Sequence, residues 1–102
     1  MTPRRVQFTA TAQEHVRREK GWWLEHRIHT DVFAAELEEA LRVVALLPGA
    51  GTPYTYSSIP NLRRIYLRNV ACHLYYTYDD DKVIVRALWG ARRDRGPVID
   101  VA

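Results

Sequence analysis

The sequence predicts an α+β fold in the order strand, helix, helix, strand, strand, strand: an antiparallel sheet with a helix hairpin packed on one face. Two observations predict it. Three short runs in period-2 pattern, Leu62 to Arg68, Cys72 to Tyr78 and Lys82 to Trp89, follow one another through short turns, as strands of an antiparallel meander do. Ahead of them, two stretches repeat their apolar residues at spacings of three and four, the period of a helix that buries one stripe. At 102 residues the chain matches one domain, 1–102, around a single core.

Arg4 to Thr9 alternates Val6 and Phe8 against Arg5 and Gln7, which predicts a short first strand with one buried face. Thr11 to Glu14 has the capping-box spacing, so a helix is expected to open at Thr11. Its stripe is Ala12, Val16 and Trp23, with Leu24 and Ile28 beside it, and Gly21 offers a place for a bend. Thr30-Asp31 predicts the second helix start, and Phe33, Leu37, Ala40, Val44 and Leu47 form its apolar stripe until Pro48-Gly49 stops it. The segment from Pro48 to Asn61 lacks any period and reads as a loop. In the next strand Ile65 and Leu67 point one way and Arg64, Tyr66 and Arg68 the other. Asn69-Val70-Ala71 and Asp79-Asp80-Asp81 read as turns, the second a solvated one and not a metal site. The helices must cover the apolar side of the sheet, which leaves the arginine side open.

A composition of 47% hydrophobic and 26% charged residues is that of a globular domain and excludes a disordered chain. No apolar run is long enough to span a bilayer and the N-terminus lacks the apolar stretch of a signal peptide, so a cytoplasmic location is expected. The lone Cys72 can form neither an internal disulfide nor a zinc site with a second thiol, and its strand position predicts a buried, inert thiol. The net charge of +3 is mild, but its placement is not even. Glu36, Glu38 and Glu39 lie early, whereas Arg63, Arg64, Arg68, Arg86, Arg92, Arg93 and Arg95 lie late.

The exposed sheet face is therefore where chemistry or binding is sought. Arg64, Tyr66 and Arg68 belong to it. The neighbouring strand adds either His73, Tyr75 and Thr77 or the alternate set, and Arg92, Arg93 and Arg95 follow the last strand. Guanidinium groups pair with phosphates and tyrosines stack on bases, a mixture compatible with RNA or with an acidic protein. A histidine beside arginines is expected to stay neutral and able to accept a proton. Adjacent Trp22 and Trp23 differ by about 100° around a helix and cannot both be central in the core. One is expected to pack on the sheet and the other at the edge of the core, the alternative being a partly exposed ring that serves as a protein-binding residue. Trp89 is expected in core or rim packing. Gly49-Ala50-Gly51 has no lysine and no following helix and is no phosphate loop, and neither a Ser/His/Asp set nor a cofactor motif can be placed.

Several segments together resemble the RelE/ParE superfamily, the toxins of bacterial type II toxin–antitoxin pairs. They are WWLEHR from Trp22, FAAELEEAL from Phe33, LLPGAGTPY from Leu46, the double arginine of LRRIYL, HLYYTY with its aspartate turn, and VIVRALWGARRDRGP from Val83. The resemblance runs almost end to end and implies the same order of elements, together with a cognate antitoxin that masks the toxin. Such antitoxins are usually acidic and wrap over the toxin, which implies coverage of Trp22, Trp23, Arg64, Arg68, Arg92, Arg93 and Arg95. RelE-like members cleave mRNA on the ribosome through the RNA's own 2′-hydroxyl, whereas ParE-like members poison DNA gyrase. On the RelE pattern Arg64 and Tyr66 fall where lysines are usual, His73 where an arginine is usual and Arg93 on a matching arginine, while Ile99 stands where a tyrosine is usual. The resemblance thus implies ParE-like action first, a ribonuclease using Arg64, Tyr66, His73 and Arg93 as the alternative, and an inactive antitoxin-binding module as a third. From the residues themselves, no metal and no cofactor is expected.

Overall fold

A computed structural model describes residues 2–26, 30–93 and 95–99. Its elements are β1 (Arg5–Phe8), α1 (Ala10–His26), α2 (Thr30–Leu46), a 3-10 turn (Pro48–Ala50), β2 (Thr52–Pro53), β3 (Arg63–Leu67), β4 (Cys72–Tyr78) and β5 (Lys82–Gly90). Two helices pack on a five-stranded sheet of order β1-β5-β4-β3-β2. The expected α+β architecture is observed, with one correction: β1 runs parallel to β5, with Arg5 beside Lys82 and Phe8 beside Val85, so the sheet is mixed. Short turns dictate antiparallel pairing only for the strands they join, and β1 is joined to β5 by no turn.

The N-terminal cap also differs from the expected one. Thr9, not Thr11, caps α1, its Oγ1 accepting from the Ala12 amide at 3.1 Å. The helix runs unbroken through Gly21, so the bend offered there is not used. A cap of this kind contributes about 1 kcal/mol, so Thr9→Ala is expected to lower Tm by roughly 4–8 °C in a thermal melt.

The core lies between helices and sheet. Ala12, Phe33 and Ala40 from the helices meet Leu67, Cys72, Leu74, Val85 and Leu88 from the sheet, with Val6, Phe8, Val16, Trp23, Leu37 and Ile65 packed around them. Val44, Tyr76 and Val83 continue it at the other end. The face assignment of β3 therefore stands: Leu67 is 1% exposed, Ile65 packs on the core and Tyr66 is 51% exposed. Two stripe residues fall outside it. Leu24 lies exposed on α1, and Leu47 is exposed beyond the end of α2, because the residue before Pro48 is pushed out of helical geometry, here to φ −132° and ψ 75°. Arg27, Ile28 and His29 lie outside the described residues, as does the Thr30 side chain invoked as a cap.

The predicted loop from Pro48 holds more order than its composition suggests. Tyr76, fully buried, donates its hydroxyl to the Pro48 carbonyl at 2.6 Å and accepts from the Gly51 amide at 2.9 Å. This clamp lays Thr52 and Pro53 against Arg64 and Arg63 as an extra edge strand, and Arg63 adds a bond to the Gly51 carbonyl at 2.5 Å. At the opposite edge β1 ends at Phe8 while β5 continues to Gly90. There His15, buried on α1, accepts from the Leu88 amide through Nδ1 at 3.2 Å and so covers a strand edge that would otherwise be open. The aspartate turn is built as an Asx turn, Asp79 Oδ1 accepting from the amides of Asp81 and Lys82, and those two bonds hold its carboxyl below the usual range.

Candidate functional site

The sheet face turned away from the helices carries two cross-strand rows. Register places Tyr66 opposite His73 and His73 opposite Trp89; in the next row Arg64 faces Tyr75 and Tyr75 faces Ala87. The first of the two sets considered for β4, His73 with Tyr75, is thus the one on this face. A β-bulge in β5 makes the second row possible. Tyr75 pairs with Ala87 and Tyr76 with Val85, so Arg86 is the extra residue. Strict alternation would send Ala87 and Trp89 to the helix side with Val83 and Val85. The bulge reverses the phase, and Leu88 enters the helix-side core while Ala87 and Trp89 join the opposite face.

That face is less open than the sequence suggests. A second apolar cluster of Ile59, Leu62, Tyr75 and Ala87 sits on it, flanked by Tyr54, Trp89 and Ile99. The Tyr54 ring stands edge-on to Tyr75 at 5.0 Å, and the Arg64 guanidinium lies 5.0 Å from the Tyr54 centroid while donating to the Tyr75 hydroxyl at 3.4 Å. Arg64 is thereby held between two of the chain's own tyrosines. The C-terminal tail crosses beside them, with the Trp89 indole N–H donating to the Arg95 carbonyl at 2.7 Å and Ile99 packed on the cluster.

Of the four residues expected to act together, Arg64, Tyr66 and His73 are neighbours. The His73 ring lies 5.1 Å from Tyr66 and 6.1 Å from Tyr75. Arg93 is one residue further out, its guanidinium 4.3 Å over Trp89, the cross-strand partner of His73. Burial first, and the Arg64 charge second, depress the His73 pKa below 6.5 and keep the imidazole neutral. Burial raises the Tyr75 phenol, against an opposing pull from Arg64. Neutral His73 favours the folded state. That contribution is fully present above pH 6.5 and is lost as pH falls through the lower folded-state value. An NMR titration is expected to give a His73 midpoint below 6.5, and Arg64→Ala is expected to move it up.

The remaining binding candidates divide among other places. Trp22, Trp23, Arg92 and Arg93 line an apolar groove of about 1050 Å³ between the C-terminal half of α1 and the ends of β4 and β5. Trp23 packs on the core, but Trp22 does not join it as expected: it is 45% exposed, stacked at 4.1 Å on His26. Cys72 lies at the groove's floor, its thiol pushed up to about 12, chiefly by burial, which leaves it inert as expected. Arg68 belongs to a second groove, between α2 and β3, and the Arg95 side chain is exposed on the tail.

Sequence reasoning missed Tyr54 and Arg86 as parts of the face. Arg86 donates through Nε to Thr77 at 2.9 Å, and its Nη1 is buried without a hydrogen-bond partner among the described residues. No local signal marks Tyr54, which arrives by tertiary packing, while Arg86 was hidden by the bulge.

No family model and no curated protein matches the sequence. Solved structures do match. A chain of the chromosomal ParDE toxin–antitoxin system of P. aeruginosa superposes with a TM-score of 0.66 at 10% identity, over 87% of this chain and 97% of that one. A chain of a RelBE-type toxin–antitoxin complex from Mycobacterium tuberculosis gives 0.61 at 23% identity, over 89% and 95%. The E. coli toxin RelE, as a mutant in the free state, gives 0.60 at 21% identity, over 90% and 86%.

Proposed function

We propose that this chain, which has the fold of the RelE/ParE toxins, is the toxin of a bacterial type II toxin–antitoxin pair. It is held silent by a cognate antitoxin and arrests growth when released, acting in the ParE-like manner on DNA gyrase in the cytoplasm. The observation that carries the protein-directed reading is how the two surfaces are used. On the sheet face Arg64 is engaged by Tyr54 and Tyr75, and Ile99 packs over the same cluster, so an RNA backbone would have to displace the chain's own side chains. Beside α1, by contrast, a groove with an apolar floor and arginines at its rim presents a half-exposed tryptophan. Exposed tryptophan and arginine around an apolar pocket is the composition of protein-binding hot spots. The ParDE and RelE-type neighbours share this fold alike, so the choice between the two readings rests on the surfaces and not on the fold.

One observation favours a second reading, a ribosome-dependent ribonuclease. A neutral His73 beside Arg64 and Tyr66 is a general base next to a phosphate-binding cation. His73 would take the proton of the RNA 2′-hydroxyl as it attacks the adjacent phosphorus, Arg64 would stabilise the developing charge, and Tyr66 would protonate the leaving 5′-oxygen.

Separate labelling of DNA and protein synthesis after induced expression discriminates the two. Thymidine incorporation is expected to stop first. If amino-acid incorporation stops first, and Arg64→Ala or His73→Ala abolishes that effect, the ribonuclease reading replaces this one. Tight binding to the product of the adjacent gene with no growth arrest would leave only a binding module.

A further inference from the structure

After β5 the chain turns back on itself. The Arg93 amide donates to the Gly90 carbonyl at 3.3 Å, and the residues beyond return over the sheet face that the helices leave uncovered. The returning segment touches both cross-strand rows. Its Arg95 carbonyl takes the Trp89 indole N–H at 2.7 Å, at the end of the row of Tyr66 and His73, and Ile99 packs on the cluster that contains Tyr75. Between these two holds, Gly96 passes so close to Tyr54 that an added Cβ would stand 2.6 Å from the phenol oxygen. Little else fastens it. Pro97 has no N–H to donate, Val98 is 84% exposed, and among the described residues 95–99 make no main-chain bond to a strand. A segment held by one side-chain bond and one apolar side chain belongs to the least stable part of a fold, where local opening is frequent.

We propose that residues 95–99 are an autoinhibitory strap, which keeps an aromatic and cationic platform on the sheet face closed to single-stranded nucleic acid until it lifts. In the closed state the chain occupies its own platform. The Arg93 guanidinium lies 4.3 Å over Trp89 and that of Arg64 lies 5.0 Å from the Tyr54 centroid, so the ring faces on which a base would stack are taken by the cations that would hold its phosphates. Lifting the strap undoes both pairs. Arg93 stands two residues before Arg95 at the root of the strap, so its movement carries the guanidinium off Trp89, whose indole N–H is released at the same time. Tyr54 loses Gly96 from one side and Tyr75 loses Ile99, which leaves the Tyr54 ring free to part from Arg64. Rings and guanidinium groups then face outward together, a mixture that binds unpaired bases without reading their sequence. The intact chain binds more weakly than the open one by the fraction of time the strap is lifted. This inference goes beyond action on gyrase, because it gives the tail a role that the protein-directed reading leaves unused.

The test uses the full chain and a fluorescently labelled single-stranded RNA of eight uridines, with binding read by anisotropy at low salt. Two variants lift the strap in different ways: Ile99→Asn removes its apolar anchor, and Gly96→Val sets it against the Tyr54 ring. Each is expected to bind the RNA at least about tenfold tighter than the parent. Each is also expected to speed exchange of the Trp89 indole proton, read by NMR, and to melt close to the parent because neither residue belongs to the main core. Arg64→Ala added to Ile99→Asn is expected to remove the gain. Equal affinity of the parent and both variants, failure of all three to bind, a gain that survives Arg64→Ala, or an indole proton that exchanges no faster in either variant would each overturn the proposal. Growth arrest is not among these readouts, so failure here and failure of the toxin reading are separately visible.

Discussion

Gly51→Ala is expected to destabilise the protein by about 3 kcal/mol, a fall in Tm of roughly 10–20 °C, although the change adds one methyl group. The backbone at Gly51, φ −75° and ψ 167°, suits any residue, so conformation is not the obstacle. Space is. A Cβ there would stand 2.5 Å from the Tyr76 hydroxyl and 2.8 Å from the Arg64 carbonyl. Neither neighbour can retreat cheaply. Tyr76 is fully buried with its hydroxyl bonded to Pro48 and Gly51, and the Arg64 carbonyl belongs to the β3 backbone. Either the hydroxyl leaves and strands two buried backbone groups, or β2 lifts from β3. Gly49→Ala is the control, since nothing lies within 4 Å of its added carbon, and it is expected to melt within a few degrees of the parent. Equal melting of both variants would show that the Tyr76 clamp does not hold the edge strand.

The second large effect is functional. Trp22→Ala is expected to weaken binding of the partner proposed for the α1 groove by about 30-fold, the loss typical of a tryptophan hot spot, as read by calorimetry. Its ring stacks on His26 and meets Trp23 edge-on at 5.4 Å, but it is not part of the main core, so the variant is expected to melt close to the parent. Trp23→Ala is different: Trp23 packs on the core, and its loss should lower Tm as well as affinity. Unchanged affinity for Trp22→Ala would remove the groove from the account.

Most of the fold was legible because periodicity reports burial directly. Val6 and Phe8, the alternation of Ile65 and Leu67, and the stripe from Phe33 to Val44 all lie where their spacing puts them. Most of what was not legible depends on contacts far apart in the chain. The parallel pairing of β1 follows from β5 returning beside it; the cap at Thr9 is a local contact, missed because Thr11 to Glu14 carries the capping-box spacing two residues later. The site shows the same division. Arg64, Tyr66 and His73 are adjacent because neighbouring strands align them, as pattern alone suggests. The occupancy of that face by Tyr54 and Ile99, and the reversal that delivers Trp89 to it, come from a loop and a single extra residue at Arg86 that leave no trace in composition.

Purified protein added to a DNA gyrase supercoiling assay tests the central claim most directly. The account predicts that the parent chain inhibits supercoiling, that Arg64→Ala and His73→Ala still do, and that Trp22→Ala does so only at much higher concentration. Undiminished supercoiling, together with mRNA cleavage in a translating extract that vanishes in the Arg64→Ala and His73→Ala variants, would contradict it.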